Sequence, residues 1–445
     1  MKKSLKYYLV ATVVAAVSSF SFAENLAQNT DKTEIETVAR SIGGILKSNY
    51  VFPEQGDKMN ALLEQNLRSG KYYDISRAQQ LAQVLTEDLQ SINQDLHLRV
   101  MFRPETVAEI RKQQSEGSEG ELLPSELKSG QRDNYGFKEV KILPGNIGYL
   151  KLDSFYDTTL GGETAVAAMN YLSNSDALIV DLRDNGGGSP SMIQLITSYF
   201  YDEPVLLNSF YNRPEDETTQ SWTLPHVPGK RRPDIELYVL TSKRTFSAAE
   251  EFSYNLKHLK RATLIGETTG GGAHPGGTEI ASDRFLVWVP SGRSINPVTK
   301  SNWEGVGVKP DIEVDQEQAL ATARKLALET LVKNSNQDKN REDSVYYQWH
   351  LDTVKAKLSP VAVPAEVLLS YAGNFGPRKL TVKDGVLFYQ RDKGPKNELQ
   401  ALAQDLFVIP GVDYFRLKVV VEDGKVTALK GLYDNGRTDI NYKES

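Results

Sequence analysis

The chain has no cysteine. That excludes a disulfide framework and a lipid-modified cysteine behind the N-terminal segment, so stability has to come from packed apolar cores. Long apolar runs are also missing beyond the first residues, and no membrane span is expected in the mature chain. Nor is there an excess of positive charge. The 52 Lys and Arg stand against 58 Asp and Glu, a formal net charge of −6, which gives no reason to expect a nucleic-acid partner. The glycine-rich turn at 186–188 lacks the G-x-G-x-x-G spacing of a nucleotide fingerprint. No cofactor and no metal are expected.

What is present begins with a targeting pattern. Lys2, Lys3 and Lys6 precede an apolar run from Leu9 to Val17, and Ser21-Phe22-Ala23 offers small residues where a signal peptidase inspects the chain. Residues 1–23 therefore read as a signal peptide removed after Ala23, with export across the inner membrane to the periplasm.

The remaining length suits two or three domains of ordinary soluble composition, 40% hydrophobic and 25% charged. Residues 24–134 read as a helical domain: Ile35, Val38, Ala39 and Ile42 recur at helical spacing, as do Leu81, Val84, Leu85 and Leu89. From 135 to 333 strand and helix patterns alternate, an α/β core. Its strands are "IGYLKL", "ALIVDL", "IELYVL", "ATLIG" and "RFLVWV". The polar "KNSNQDKNRED" that follows reads as a linker, placed with a helix at 334–363. The last segment, 364–445, carries two hairpin signals, Asp384-Gly385 and Asp423-Gly424, and reads as a small all-β domain.

Three stretches of the core can carry chemistry. In "LIVDLRDNGGGSP" a buried strand runs into Gly186-Gly187-Gly188, whose amides can line a concavity for an anion or oxyanion; a tight turn serving only sterics is the competing reading. "IELYVLTSKRTFSAAEEF" is strand, loop, helix, and puts Ser247 at a helix N-terminus. There it is either the cap of a Ser247-x-x-Glu250 box or a nucleophile with the Ala248 amide beside it. "LIGETTGGGAHPGG" is a strand and glycine-dense loop carrying Thr268, Thr269 and His274, with Thr269 and His274 as substrate-loop candidates.

Taken together, "DLRDNGGG", "TFSAAEEF", "GETTGGGAHPG" and "WEGVGVKPDIEV" resemble, in order, the motifs of the C-terminal-processing and tricorn group of serine peptidases. The resemblance implies a crotonase-like core of ββα units, with Ser247 as nucleophile and the amides of Gly187 and Ala248 as oxyanion hole. It also implies a departure. Tail-processing members use a lysine base two positions after the equivalent of Gly270, and Gly272 stands there. The tricorn-like branch uses a histidine and a glutamate, which points to His97 in "QDLHLRV", at the family's Asp-x-His element, and to Glu304 in "WEGVGVKP". Leu96 replaces the serine that precedes that histidine in tricorn-like members.

Of five histidines His97 has the best claim as general base, since an imidazole of pKa about 6.5 takes a proton near neutrality. Only 38 positions separate His97 from Tyr135, too few for a PDZ domain of roughly 80 to 100 residues. The layout resembles interphotoreceptor retinoid-binding-protein-like members. The expected function is a secreted serine hydrolase, a peptidase acting on peptides or proteins. The competing readings are a non-catalytic binding protein for an apolar ligand, and acyl-CoA chemistry on the shared scaffold. Oligomeric state has no signal in the sequence.

Overall fold

The computed structural model describes residues 29–118 and 122–444. The signal peptide expected over 1–23 lies outside them. Among the described residues no helix is long and apolar enough to cross a membrane.

The chain is a mixed α/β protein with several sheets, in two compact units. The first takes in nearly everything up to Gln316, so the boundary expected at 134 does not separate compact bodies. The reason is a strand the helical reading passed over. After helices Lys32–Asn49, Pro53–Ser69 and Ala78–Ile92, the chain forms strand Arg99–Phe102, which pairs antiparallel with Phe285–Pro290 in the register Arg99↔Trp288. The helices bury Ile35, Ile42, Leu46, Leu81 and Leu85 in the same cluster as Phe285, Val287 and Val289. Each helix has one apolar stripe and the strand presents alternate residues to it, so the helical part and the core share one interior.

Four of the five expected core strands lie in a six-stranded sheet of order Ile312–Glu313, Thr263–Gly266, Glu236–Thr241, Ala177–Asp181, Ile147–Leu152, Phe137–Leu143. The fifth, Phe285–Pro290, belongs to the separate three-stranded sheet with Arg99–Phe102 and Gly276–Ile280. A third sheet joins Gly292–Ile295, Leu206–Asn212 and Glu217–Trp222. The sequence reading held no strand at Glu217–Trp222 because almost every residue there is exposed and no apolar alternation marks it.

The second unit contains residues 317–445 with two short segments, Ile142–Gly148 and Ser175–Ala177. The stretch expected to be a linker is mostly helical: Gln316–Gln337 and Arg341–Leu358 leave only three residues between them. Its polarity is that of two helix ends, with Asn340 accepting from the Asp343 amide and Glu342 and Asp343 in the first turn. A four-stranded and a five-stranded antiparallel sheet follow. Both expected turns close hairpins, Lys383↔Val386 and Glu422↔Lys425. Their central residues have φ of 51° and 76°, and of 48° and 74°, the positive pair that a tight hairpin of this hand requires.

Candidate active site

Strand Glu236–Thr241 delivers the chain to a loop that is tied down along its length. Thr245 Oγ1 donates to the Leu182 carbonyl, and the Phe246 amide donates to the Asn185 carbonyl. Ser247 then adopts φ 54°, ψ −119°, a conformation costly for a residue with a Cβ, by about 1–3 kcal/mol, and helix Ala248–His258 begins. The strain has a result: the hydroxyl makes no cap hydrogen bond to the helix. Only half of the capping box forms, Glu250 accepting the Ser247 amide at 2.8 Å. The freed Oγ lies 2.9 Å from His97 Nε2.

His97 comes from the turn between helix Ala78–Ile92 and strand Arg99–Phe102, where its own amide donates to Asp95 Oδ1 at 3.1 Å. The imidazole is packed at 4.6 Å, centroid to centroid, against Phe246. Burial pushes its pKa down to about 4, against an opposing pull from Asp95. Its Nδ1 is buried without a hydrogen-bond partner, and the nearby carboxylate is Asp95 Oδ1 at 3.9 Å. Asp95 is itself held on its other oxygen by Tyr50, at 3.2 Å, and by His274 Nδ1, at 2.8 Å.

Glu304, expected to orient the imidazole or to contact substrate, is not among the residues lining the cavity described below and stands beside His274 instead. Its Oε2 accepts from the Ala273 amide at 2.5 Å and lies 3.4 Å from His274 Nδ1. Burial first and Asp95 second raise its pKa to about 7, and its Oε1 is buried unpartnered. His274 is thus no exposed loop histidine: it is 3% exposed, bridging Asp95 and Glu304. Thr269 also faces inward, donating to Glu250 Oε1 and accepting from the Val308 amide at 2.7 Å. Neither residue is among those lining the cavity described below. Asp95, His274 and Glu304 bring one potential ligand atom each within 4.8 Å of one another. The 2.8 Å separation of His274 Nδ1 and Asp95 Oδ2 is that of a hydrogen bond.

Gly272 has no room for a side chain. A Cβ there would collide with Phe246 Cζ and stand 2.6 Å from His97 Cε1, so any side chain would have to displace these rings. Gly187 is equally confined: at φ 112°, an added Cβ would reach 2.7 Å from Ser247 Cβ. Its amide donates at 2.9 Å to Asn185 Oδ1, while Asn185 Nδ2 is held by the Leu152 carbonyl at 2.8 Å. Of the two expected oxyanion donors, Gly187 is therefore engaged, and the Ala248 amide meets no acceptor among the described residues. Ala248 also opens the helix, whose N-terminal partial charge favours an anion at this point.

Sequence reasoning left Asp95, Asn185 and Glu250 without chemical roles. The Asp-x-His spacing was a signal for Asp95. Glu250 was visible only as a capping residue, although it accepts four hydrogen bonds, from Ser247, Gly271 and Gly272 amides and the Thr269 hydroxyl. Those four donors oppose the burial that raises its pKa to about 7.

His97, Ser247, Gly187, Phe246 and Trp288 open onto a cavity of about 1230 Å³. Residues 146–314 match peptidase family S41, and residues 23–134 match the N-terminal domain of peptidase S41 in eukaryotic IRBP. A "Probable CtpA-like serine protease" of Staphylococcus haemolyticus is 22% identical over 215 residues, 45% of this chain and 42% of that protein. The chloroplastic carboxyl-terminal-processing peptidase 2 of Arabidopsis thaliana is 28% identical over 218 residues, 45% of this chain and 41% of that protein. The matches thus span less than half the length of these curated relatives. Among solved structures, the photosystem II D1 C-terminal processing protease aligns with TM-score 0.41 at 18% identity, covering 65% of this chain and 94% of that one.

Proposed function

We propose that this chain, which belongs to peptidase family S41, is a secreted serine peptidase in which Ser247 attacks the peptide carbonyl and His97 is the general base. The observation that carries the reading is the 2.9 Å approach of His97 Nε2 to Ser247 Oγ across 150 residues of sequence. Oγ forms the bond to the carbonyl carbon and its proton passes to Nε2. The Ala248 amide and the helix N-terminus stabilise the oxyanion, joined by Gly187 once Asn185 shares that amide. The imidazolium then gives its proton to the departing amine, and water, activated by the same nitrogen, releases the acyl group and restores Ser247.

Asp95 orients the base. Catalytic hydrogen bonds are often long in an empty site, and a small rotation of the imidazole brings Nδ1–H to Asp95 Oδ1. Tyr50 and His274 keep that carboxylate in place. Glu304 acts at one remove, through His274. We read the core as crotonase-like, the C-terminal unit as an appended module, and the leader at 1–23 as the export signal to the periplasm.

The test is a serine-directed fluorophosphonate probe on the mature protein. Labelling that maps to Ser247 and is lost in Ser247→Ala is expected, and a wild-type chain that stays unlabelled would overturn the assignment. N-terminal sequencing of exported material should begin at Glu24; a chain still starting at Met1 would remove the secretion reading.

A further inference from the structure

Glu251 lies in the first turn of helix Ala248–His258, four residues after Ser247. Both residues line the same cavity. Glu251 is only 4% exposed, where a carboxyl needs strong partners, and those it has are weak. Asn255 Nδ2 donates to Oε1 at 3.5 Å, the outer limit of a hydrogen bond, while Asn255 Oδ1 is taken by Asn296 at 3.0 Å. Asn208 approaches the same carboxyl, with its Nδ2 buried and without a hydrogen bond of its own. Among the described residues no Lys, Arg or His forms an ion pair with Glu251. The contrast with its neighbour is plain, since Glu250 has four good donors and faces away into the loop at 269–272.

The cavity wall has the same sign. Besides Glu251, six carboxylates line it, Asp133, Asp153, Asp157, Asp184, Glu215 and Glu217, against three cations, Arg99, Lys138 and Arg244. Lys138 pairs with Asp133 and Arg244 with Asp184, which leaves four carboxylates against Arg99.

We propose that Glu251 determines specificity: it forms the base of the subsite next to Ser247 and receives the lysine or arginine side chain of the residue whose carbonyl is attacked. The inference rests on the serine-peptidase reading. Burial, opposed by Asn208 and Asn255, raises the carboxyl to about 8 and so favours its neutral form. An entering ammonium or guanidinium draws it into the ionised form and supplies the donors that Asn255 and Asn208 supply poorly. An apolar side chain would leave the carboxyl underbonded, and an acidic one would meet the like-charged wall. Selection against wrong residues is thus built in together with selection for the right one.

The test uses the full mature chain and peptides that differ only at the residue before the scissile bond: Lys, Arg, Leu, Ala and Glu. The wild type should favour Lys and Arg over Leu by about 10-fold or more in kcat/KM, with Glu the poorest. In Glu251→Gln, which keeps the shape of the side chain, the Lys-to-Leu ratio should fall to about one. A wild-type enzyme that cuts the Leu and Lys peptides equally overturns the proposal, whether or not the variant folds. A folded variant with an unchanged ratio overturns it too. Wild-type protein that takes up the fluorophosphonate but shows no basic preference defeats this inference alone, whereas protein that neither takes up the probe nor cuts any peptide defeats the serine-peptidase reading and this inference with it.

Discussion

Gly272 and His97 exclude one another's alternatives: a Cβ on Gly272 would lie 2.6 Å from His97 Cε1. The space next to Gly272 is filled by an imidazole reaching in from the N-terminal region. Gly272→Ala should therefore lower kcat/KM by about 10²-fold or more with the fold retained, since misplacement of a base by about 1 Å is enough for such a loss. Gly272→Lys should be no more active. Near-normal turnover by Gly272→Ala, with circular dichroism as the check on folding, would mean the site tolerates a displaced base.

Ser247→Ala and His97→Ala should each cost on the order of 10³-fold or more in turnover of a peptide pool. The double variant should lose little beyond either single one, because nucleophile and base act as a unit. Additive losses would show that they do not.

The acid limb of activity should fall low. A base must be neutral, and burial brings the His97 pKa down to about 4, so kcat/KM should hold as pH drops through 6.5 and decline only near 4. The contribution of His97 to stability falls over the same window. The unfolded imidazole takes up a proton below about 6.5 and the folded one does not, while Glu250, Glu251 and Glu304, raised to about 7, 8 and 7, act the other way, so the melting temperature of wild type relative to His97→Ala should drop as pH falls from 6.5 towards 4. An activity midpoint between 6 and 7 would show an imidazole in contact with solvent.

Asp95→Asn tests the orienting role. It preserves shape but removes the charge that faces Nδ1, and should reduce kcat by about 10²-fold or more with KM little changed. Glu304→Gln, acting through His274, should cost less. The reverse order, measured as kcat for the two variants side by side, would return the orienting role to Glu304.

Glu250→Gln should destabilise the site loop. All four groups around the carboxylate donate, so an amide nitrogen must face at least one of them, at a cost of about 1–3 kcal/mol. A melting temperature equal to wild type would show that the loop at 269–272 is held by other contacts.

Much of this protein is legible locally. The Asp-Gly hairpins, the amphipathic stripes of the first helices and the strand-to-helix turn at Ser247 depend on residues within one turn or one strand of each other. Turn dihedrals and side-chain periodicity are decided at that range. So is the absence of a lysine at 272. What the sequence alone could not decide was which groups meet. His97 reaches Ser247 because Arg99–Phe102 pairs with Phe285–Pro290, a register spanning nearly 190 positions. The same packing sets Asp95, and not Glu304, against the imidazole, turns Thr269 inward, and gives the Gly187 amide to Asn185. The two adjacent glutamates are indistinguishable as letters. The helix phase alone aims Glu250 at a ring of amides and Glu251 at the cavity, because successive residues on an α-helix point about 100° apart.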